Sequence, residues 1–293
     1  IQITGAGGPG AISHGVVLLS DADITSSDAV GAATITINGT GGTGGTGAGL
    51  VINDAISTIT SITGAINITA TGGASGAGFA TNGGTISSTG VAPITITADG
   101  ANADAFSLVD TTIGNAAGTG TITLTGDEFT LSENTGTTVI DGSGALIIQP
   151  QTAGTDIEIG DVNGTLSLTD AELAFLSPGF STITIGKADA GGFNIETATL
   201  PDTTGNSVTL LTGGVIRDIA GAPDLILTAG DTATLNGTLA PGFINLGAPG
   251  EPGILGVTGN VSLPDNTTFE VQIGGTTAGD GNGNHDQLDA SGS

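Results

Sequence analysis

The sequence predicts an all-β fold, a right-handed parallel β-helix of roughly triangular coils, and three observations carry that reading. An alternating phrase returns five times, as Ile1-Gln2-Ile3-Thr4, Ile35-Thr36-Ile37-Asn38, Ile66-Asn67-Ile68-Thr69, Ile94-Thr95-Ile96-Thr97 and Ile122-Thr123-Leu124-Thr125. The first residues of these phrases lie 34, 31, 28 and 28 positions apart, a spacing that marks stacked repeats. Each period also contains two further apolar clusters, so every turn holds three short strands whose coils stack about 4.8 Å apart.

Residues 1–148 form the regular part, in coils of about 28–34 residues. Within each phrase the aliphatic residues sit two apart and face one side of a strand, while Gln2, Thr36, Asn67, Thr95 and Thr123 face the other. The second strand of each coil falls at Val16-Val17-Leu18, Leu50-Val51-Ile52, Phe79, Phe106-Ser107-Leu108 and Phe129-Thr130-Leu131. The third centres on Ile24, Ile59, Ile86, Ile113 and Val139-Ile140, and Leu146-Ile147-Ile148 opens a sixth coil. Gly-rich stretches such as Gly41 to Gly49 and Gly72 to Gly78 read as loops running over the outside.

Residues 149–293 continue the β-helix with shorter, less regular coils. After Ile157-Glu158-Ile159 and Leu166-Ser167-Leu168 comes the one helix signal, Thr169 to Leu176. Thr169 with Glu172 has the spacing of a capping box, and Ser177-Pro178-Gly179 stops the turn. A short helix is therefore expected to interrupt the solenoid near 169–177, with Leu173 and Leu176 packed over a coil edge. Strand patterns resume at Ile183-Thr184-Ile185, Phe193-Asn194-Ile195, Val208-Thr209-Leu210, Val215-Ile216, Leu225-Ile226-Leu227 and Thr234-Leu235, and again at Val261-Ser262-Leu263 and Phe269 to Ile273.

Composition limits the function. Gly makes up 54 of 293 residues, yet the aliphatic residues are regularly placed and mean hydropathy is positive, unlike a disordered acidic chain. Twenty-eight acidic residues oppose only Lys187 and Arg217, for a formal charge of −26. That balance excludes nucleic acid, disfavours anionic membrane surfaces, and favours solubility and cation binding. The absence of Cys removes disulfides and thiolate metal sites. No run of eighteen apolar residues is present, so no membrane insertion is expected. The chain opens inside a strand phrase and closes on Asp289-Ala290-Ser291-Gly292-Ser293, which reads as an internal or processed piece of something longer.

Several short phrases carry a family likeness: the I-x-I-T strands with Gly-Thr-Gly loops, Leu168 to Leu173, Ala240-Pro241-Gly242 with Pro252-Gly253-Ile254-Leu255, and Phe269 to Gly275 followed by His285-Asp286-Gln287-Leu288. Over nearly the whole chain they resemble the β-strand-repeat regions of very large bacterial surface proteins of the filamentous-haemagglutinin-like and autotransporter-passenger-like kinds. The resemblance implies a secreted, right-handed parallel β-helix with an adhesion, biofilm or surface-layer role.

The chemistry-bearing residues are few. Lys187 and Arg217 lie 30 positions apart, near one coil, so they could share a face as they would in a carbohydrate-active β-helix; no carboxylate cluster adjoins either in sequence. His14 sits in a loop without a Ser and Asp pattern, and no catalytic or cofactor-binding residue is assigned. Gly42 to Gly47 matches the spacing of a dinucleotide fingerprint, but no helix pattern follows it. Asp280, Asn282, Asn284 and Asp286 alternate as oxygen donors in a Gly-rich loop and form a candidate calcium site, although His285 and Ser291 stand where a helix-loop-helix calcium site would have Gly and Glu. The outward Thr positions are too irregular for an ice-binding ladder, and Asn-x-Ser/Thr triplets at Asn38, Asn67, Asn163, Asn236, Asn260 and Asn266 permit glycosylation.

The expectation is thus a structural extracellular element, an adhesin shaft or the subunit of a self-assembling cell-surface filament. The alternative is a carbohydrate-binding or carbohydrate-active β-helix protein. Ten or eleven coils, about 50 Å long, would associate end to end or continue into a longer chain, with a glycan or host-cell receptor as a further partner. No cofactor is required on this reading.

Overall fold

The computed structural model describes residues 1–102, 104–160, 165–195, 197–199, 207–218 and 225–239, and shorter strand segments up to 291; side chains are described within 1–195 and at 208–214 and 216. The chain divides into two units, Ile1–Gln151 with Phe175–Ser181, and Thr152–Ala174 with Thr182–Ser293.

In the first unit the chain visits three sheets in turn. The first coil supplies β1 (Gln2–Ala6), β2 (Val16–Leu18) and β3 (Asp23–Ser26), and the second β4 (Ile35–Thr40), β5 (Leu50–Ile52) and β6 (Thr58–Ser61). Next come β7 (Ile66–Thr71), β8 (Phe79–Asn82) and β9 (Thr85–Ser88), then β10 (Ile94–Asp99), β11 (Phe106–Val109) and β12 (Thr112–Gly114). The fifth coil holds β13 (Ile122–Thr125), β14 (Phe129–Ser132) and β15 (Val139–Asp141), and β16 (Ala145–Gln149) opens the sixth. First strands pair only with first strands, in the order β1-β4-β7-β10-β13-β16; β14-β11-β8-β5-β2 and β15-β12-β9-β6-β3 form the other two sheets. Every pairing is parallel, which makes this unit a parallel β-helix.

The register follows from the alternation. Ile37 stands over Ile3, Ile68 over Ile37 and Ile96 over Ile68, so identical positions meet and each column is wholly inward or wholly outward. The inward columns are dry: Ile37, Ile68, Ile96 and Leu124 in the first sheet, Leu50, Phe79 and Phe106 in the second, and Ile59, Ile86 and Ile113 in the third are buried. This shared interior is the main stabilising term, because burying one such aliphatic or aromatic side chain contributes about 1.5–3 kcal/mol.

The corners are built from local chemistry. Between the second and third sheets the backbone turns through left-handed conformations, with φ of 58° and 66° at Ser20 and Asp21, 99° and 86° at Gly83 and Gly84, and 52° at Asp110. Gly and Asp are among the residues that enter this region most readily. Between the first and second sheets the Gly-rich loops do not simply run over the outside; they stack on one another. Gly42 N–H donates to the Ser13 carbonyl (2.6 Å), Thr46 to Ala11 (2.9 Å), Gly73 to Gly47 (2.7 Å) and Ser75 to Gly45 (3.2 Å). A Cβ at Gly42 would run into the carbonyl of Gly8, so glycine is required there by backbone approach.

The segment Phe175–Ser181 supplies the last layer of the third sheet in this unit. Ile140 donates to the Phe175 carbonyl and accepts from Ser177 N–H, both at 2.9 Å, and Leu176 and Phe180 are buried.

The second unit is also largely parallel. Its strands include β17 (Ile157–Ile159), β18 (Leu166–Leu168), β19 (Thr182–Lys187), β20 (Phe193–Ile195), β21 (Thr197–Thr199), β22 (Ser207–Asp218) and β23 (Leu225–Leu239). They pair in the order β18-β17-β20-β22-β19, with β23 joined to β22 and β21. The long β22 and β23 each serve two shorter neighbours and shift register between Leu211 and Val215 where they meet. The helix α1 is a single turn, Asp170–Leu173. Its capping box forms as the sequence predicts, with Glu172 N–H donating to Thr169 Oγ1 (3.3 Å) and Thr169 N–H donating to Glu172 Oε2 (2.9 Å). Leu173 is buried, whereas Leu176 has already left the helix for its bridge to Ile140.

Candidate functional site

The outward columns of the first sheet, Thr36, Asn67, Thr95 and Thr123 beside Asn38, Thr69, Thr97 and Thr125, carry no charge. Parallel in-register stacking explains this. A carboxylate at such a position would stand one strand spacing from its counterpart in the next coil, and like charges directly opposite are destabilising.

Two acids at corners, Asp54 and Asp110, stitch coils together instead. Asp54 accepts from Ile56 N–H (3.0 Å), Ser57 N–H (2.6 Å) and Ser57 Oγ–H (2.8 Å). Desolvation acts to raise its pKa, but these bonds, with one from the Ser20 amide of the preceding coil, outweigh it and hold the carboxyl below its ordinary value. Asp110 accepts from Asn134 N–H (2.8 Å) and Thr135 N–H (3.0 Å) of the following coil, and those backbone donors depress its pKa likewise. Glu128 moves the other way: partial desolvation, then the neighbouring Asp104 carboxyl, raise its pKa, although its largely exposed side chain leaves solvent to screen the effect.

His14, which reads in the sequence as an exposed loop residue without a Ser and Asp pattern, is half-buried, and its Nδ1 accepts a hydrogen bond from Ala48 N–H at 3.0 Å. No local motif signals this role, because the donor lies 34 residues away and is adjacent only through the stacking of loops. The same holds for Asp110 and its donors. Gly42 to Gly47, the fingerprint-like stretch, is packed between the loops of the first and third coils and precedes strand β5 rather than a helix.

The two basic residues do not come together as a stacked pair. Lys187 lies in register with Thr212 of β22, five positions before Arg217 on that same strand, and Arg217 lies in register with Asn194. Lys187 Nζ makes an ion pair with Asp189 at 3.3 Å, a short-range surface interaction. The side chain of Arg217 lies outside the described residues. Of the candidate calcium ligands, Asp280, Asn282 and Asp286 lie outside the described residues; Asn284 belongs to a short strand with His285, and its side chain lies outside them too. Among the described residues no group of three or more His, Asp or Glu side chains is placed to hold a metal ion. Among the described residues, no helix is long and apolar enough to cross a membrane. Compared with known proteins, the chain matches no family model, no curated protein and no solved structure.

Proposed function

We propose that this chain is a structural extracellular element, the shaft of an adhesin or the subunit of a self-assembling cell-surface filament. The observation that carries the reading is the residue-for-residue register of the parallel ladders in the first unit, with inward columns buried from coil to coil. A body of this kind extends by one strand spacing for each coil added, about 4.8 Å, and needs no ligand to hold its form. Some of its polar groups hold coils together, Asp54 and Asp110 accepting from amides of their own and adjacent coils, while Lys187 pairs locally with Asp189. The strongly acidic composition keeps such a body soluble. The bacterial surface-protein resemblance supports placing it outside the cell.

Electron microscopy of the purified chain tests the reading. Elongated particles of constant width that lengthen with protein concentration support the filament subunit, and short monodisperse elongated particles support the shaft. Compact, isometric particles at every concentration would overturn both.

A further inference from the structure

We propose that His14 is an acid-labile latch between the Gly-rich loops of the first and second coils. Ala48 is buried, so its amide needs an acceptor within the protein, and His14 Nδ1 provides it at 3.0 Å. The Ala48 carbonyl accepts in turn from Gly15 N–H (3.0 Å), so this pair of bonds closes the base of the two stacked loops. A neutral imidazole accepts at one nitrogen and donates at the other, which puts its proton on Nε2 here; an imidazolium has no acceptor nitrogen. Protonation therefore turns the contact at Nδ1 from a hydrogen bond into a meeting of two donors.

The surroundings isolate the effect. Residues 7–15, 41–49 and 72–78, which form the stacked loops, contain no other titratable side chain, and neither do the flanking strands β1, β2, β4 and β5. The terminal ammonium of Ile1 is engaged elsewhere, donating to the Thr34 carbonyl at 2.7 Å. Asp99 and Asp104 of the fourth coil meet only the third of these loops, their backbone carbonyls accepting from Gly72 N–H (2.7 Å) and Gly78 N–H (3.2 Å). His14 is thus the one titratable side chain within the loops of the first and second coils, 7–15 and 41–49. The latch rests on the fold and is independent of the functional reading above.

Amide hydrogen exchange of the full chain at pH 7.5 and pH 5.0, corrected for intrinsic exchange rates, tests it, together with the imidazole 15N shifts. The expected result is an Nε2–H tautomer at pH 7.5 and a fall in Ala48 protection on the order of ten-fold at pH 5.0, absent from His14→Gln. Unchanged Ala48 protection in the wild type, an Nδ1–H tautomer, or the same acid-induced loss in His14→Gln would overturn the proposal.

Discussion

Phe106 and Phe129 occupy the same position in successive coils and stack face to face, with ring centroids 4.4 Å apart and planes 10° from parallel. Phe79, one coil earlier in the same column, meets Phe106 edge-on at 6.2 Å and 83°. Phe106 thus joins two geometries at the centre of the second sheet's inward column. Phe106→Ala is expected to destabilise the chain by about 3–5 kcal/mol, since no neighbouring side chain can collapse into a space bounded by rings above and below. Phe106→Leu should cost distinctly less. Urea unfolding followed by far-UV circular dichroism measures both.

Glycines in the stacked loops divide by what lies opposite them. Gly42 faces the backbone of the preceding loop, whereas Gly8 has open space around its Cβ position. Gly42→Ala should lower the melting temperature, and Gly8→Ala should leave it unchanged or raise it slightly, because alanine restricts the unfolded chain. Paired thermal melts check the contrast.

Acid stability should report the corner carboxylates. Asp54 and Asp110 have folded pKa values below their ordinary 3.8, so they bind protons more readily when unfolded. Their contribution is present above that value and is lost as pH falls through the folded values. Glu128 is raised in the fold and has the opposite sign: its contribution is present below its unfolded value of about 4.5 and is lost as pH rises through the folded one. Asp110→Asn should reduce stability at neutral pH and flatten the decline as pH falls below the ordinary carboxylate value of 3.8, and Glu128→Gln should flatten the opposing slope at higher pH. Denaturant titrations at a series of pH values distinguish the two.

The one-turn helix depends on its cap. Thr169→Ala removes the hydroxyl that accepts from Glu172 N–H and is expected to cost about 1 kcal/mol. Thr169→Ser should retain most of it. Exchange protection of residues 170–174 reads the loss locally.

The period of the Ile phrases, with the two further apolar clusters in each period, was enough to place all three sheets of the first unit, because most inward columns repeat an aliphatic or aromatic residue at the same phase; Thr81, buried between Ile52 and Leu108, is an exception. Thr169 and Glu172 were legible for the same reason, since a capping box is a local pattern. What stayed hidden is relational. A stretch such as Gly41 to Gly49 advertises conformational freedom, but not that another backbone lies against it. His14 and Asp110 acquire partners 34 and 24 residues away only once coils are stacked. Leu176 continues the helical spacing from Leu173, yet it pairs with Ile140, because a strand edge in the third sheet offers it backbone hydrogen bonds that a frayed helix end lacks.

Distances between spin labels along one outward column test the stacking most directly, and the absence of native Cys makes the labelling clean. Gln2, Thr36, Asn67, Thr95, Thr123 and Ile147 stand in consecutive register. Labels on cysteines substituted at Gln2 and Ile147 should lie about 24 Å apart at the backbone, and those at Thr36 and Ile147 about 19 Å, one strand spacing less. Separations that fail to shorten by one spacing for each coil removed would contradict a parallel, in-register solenoid.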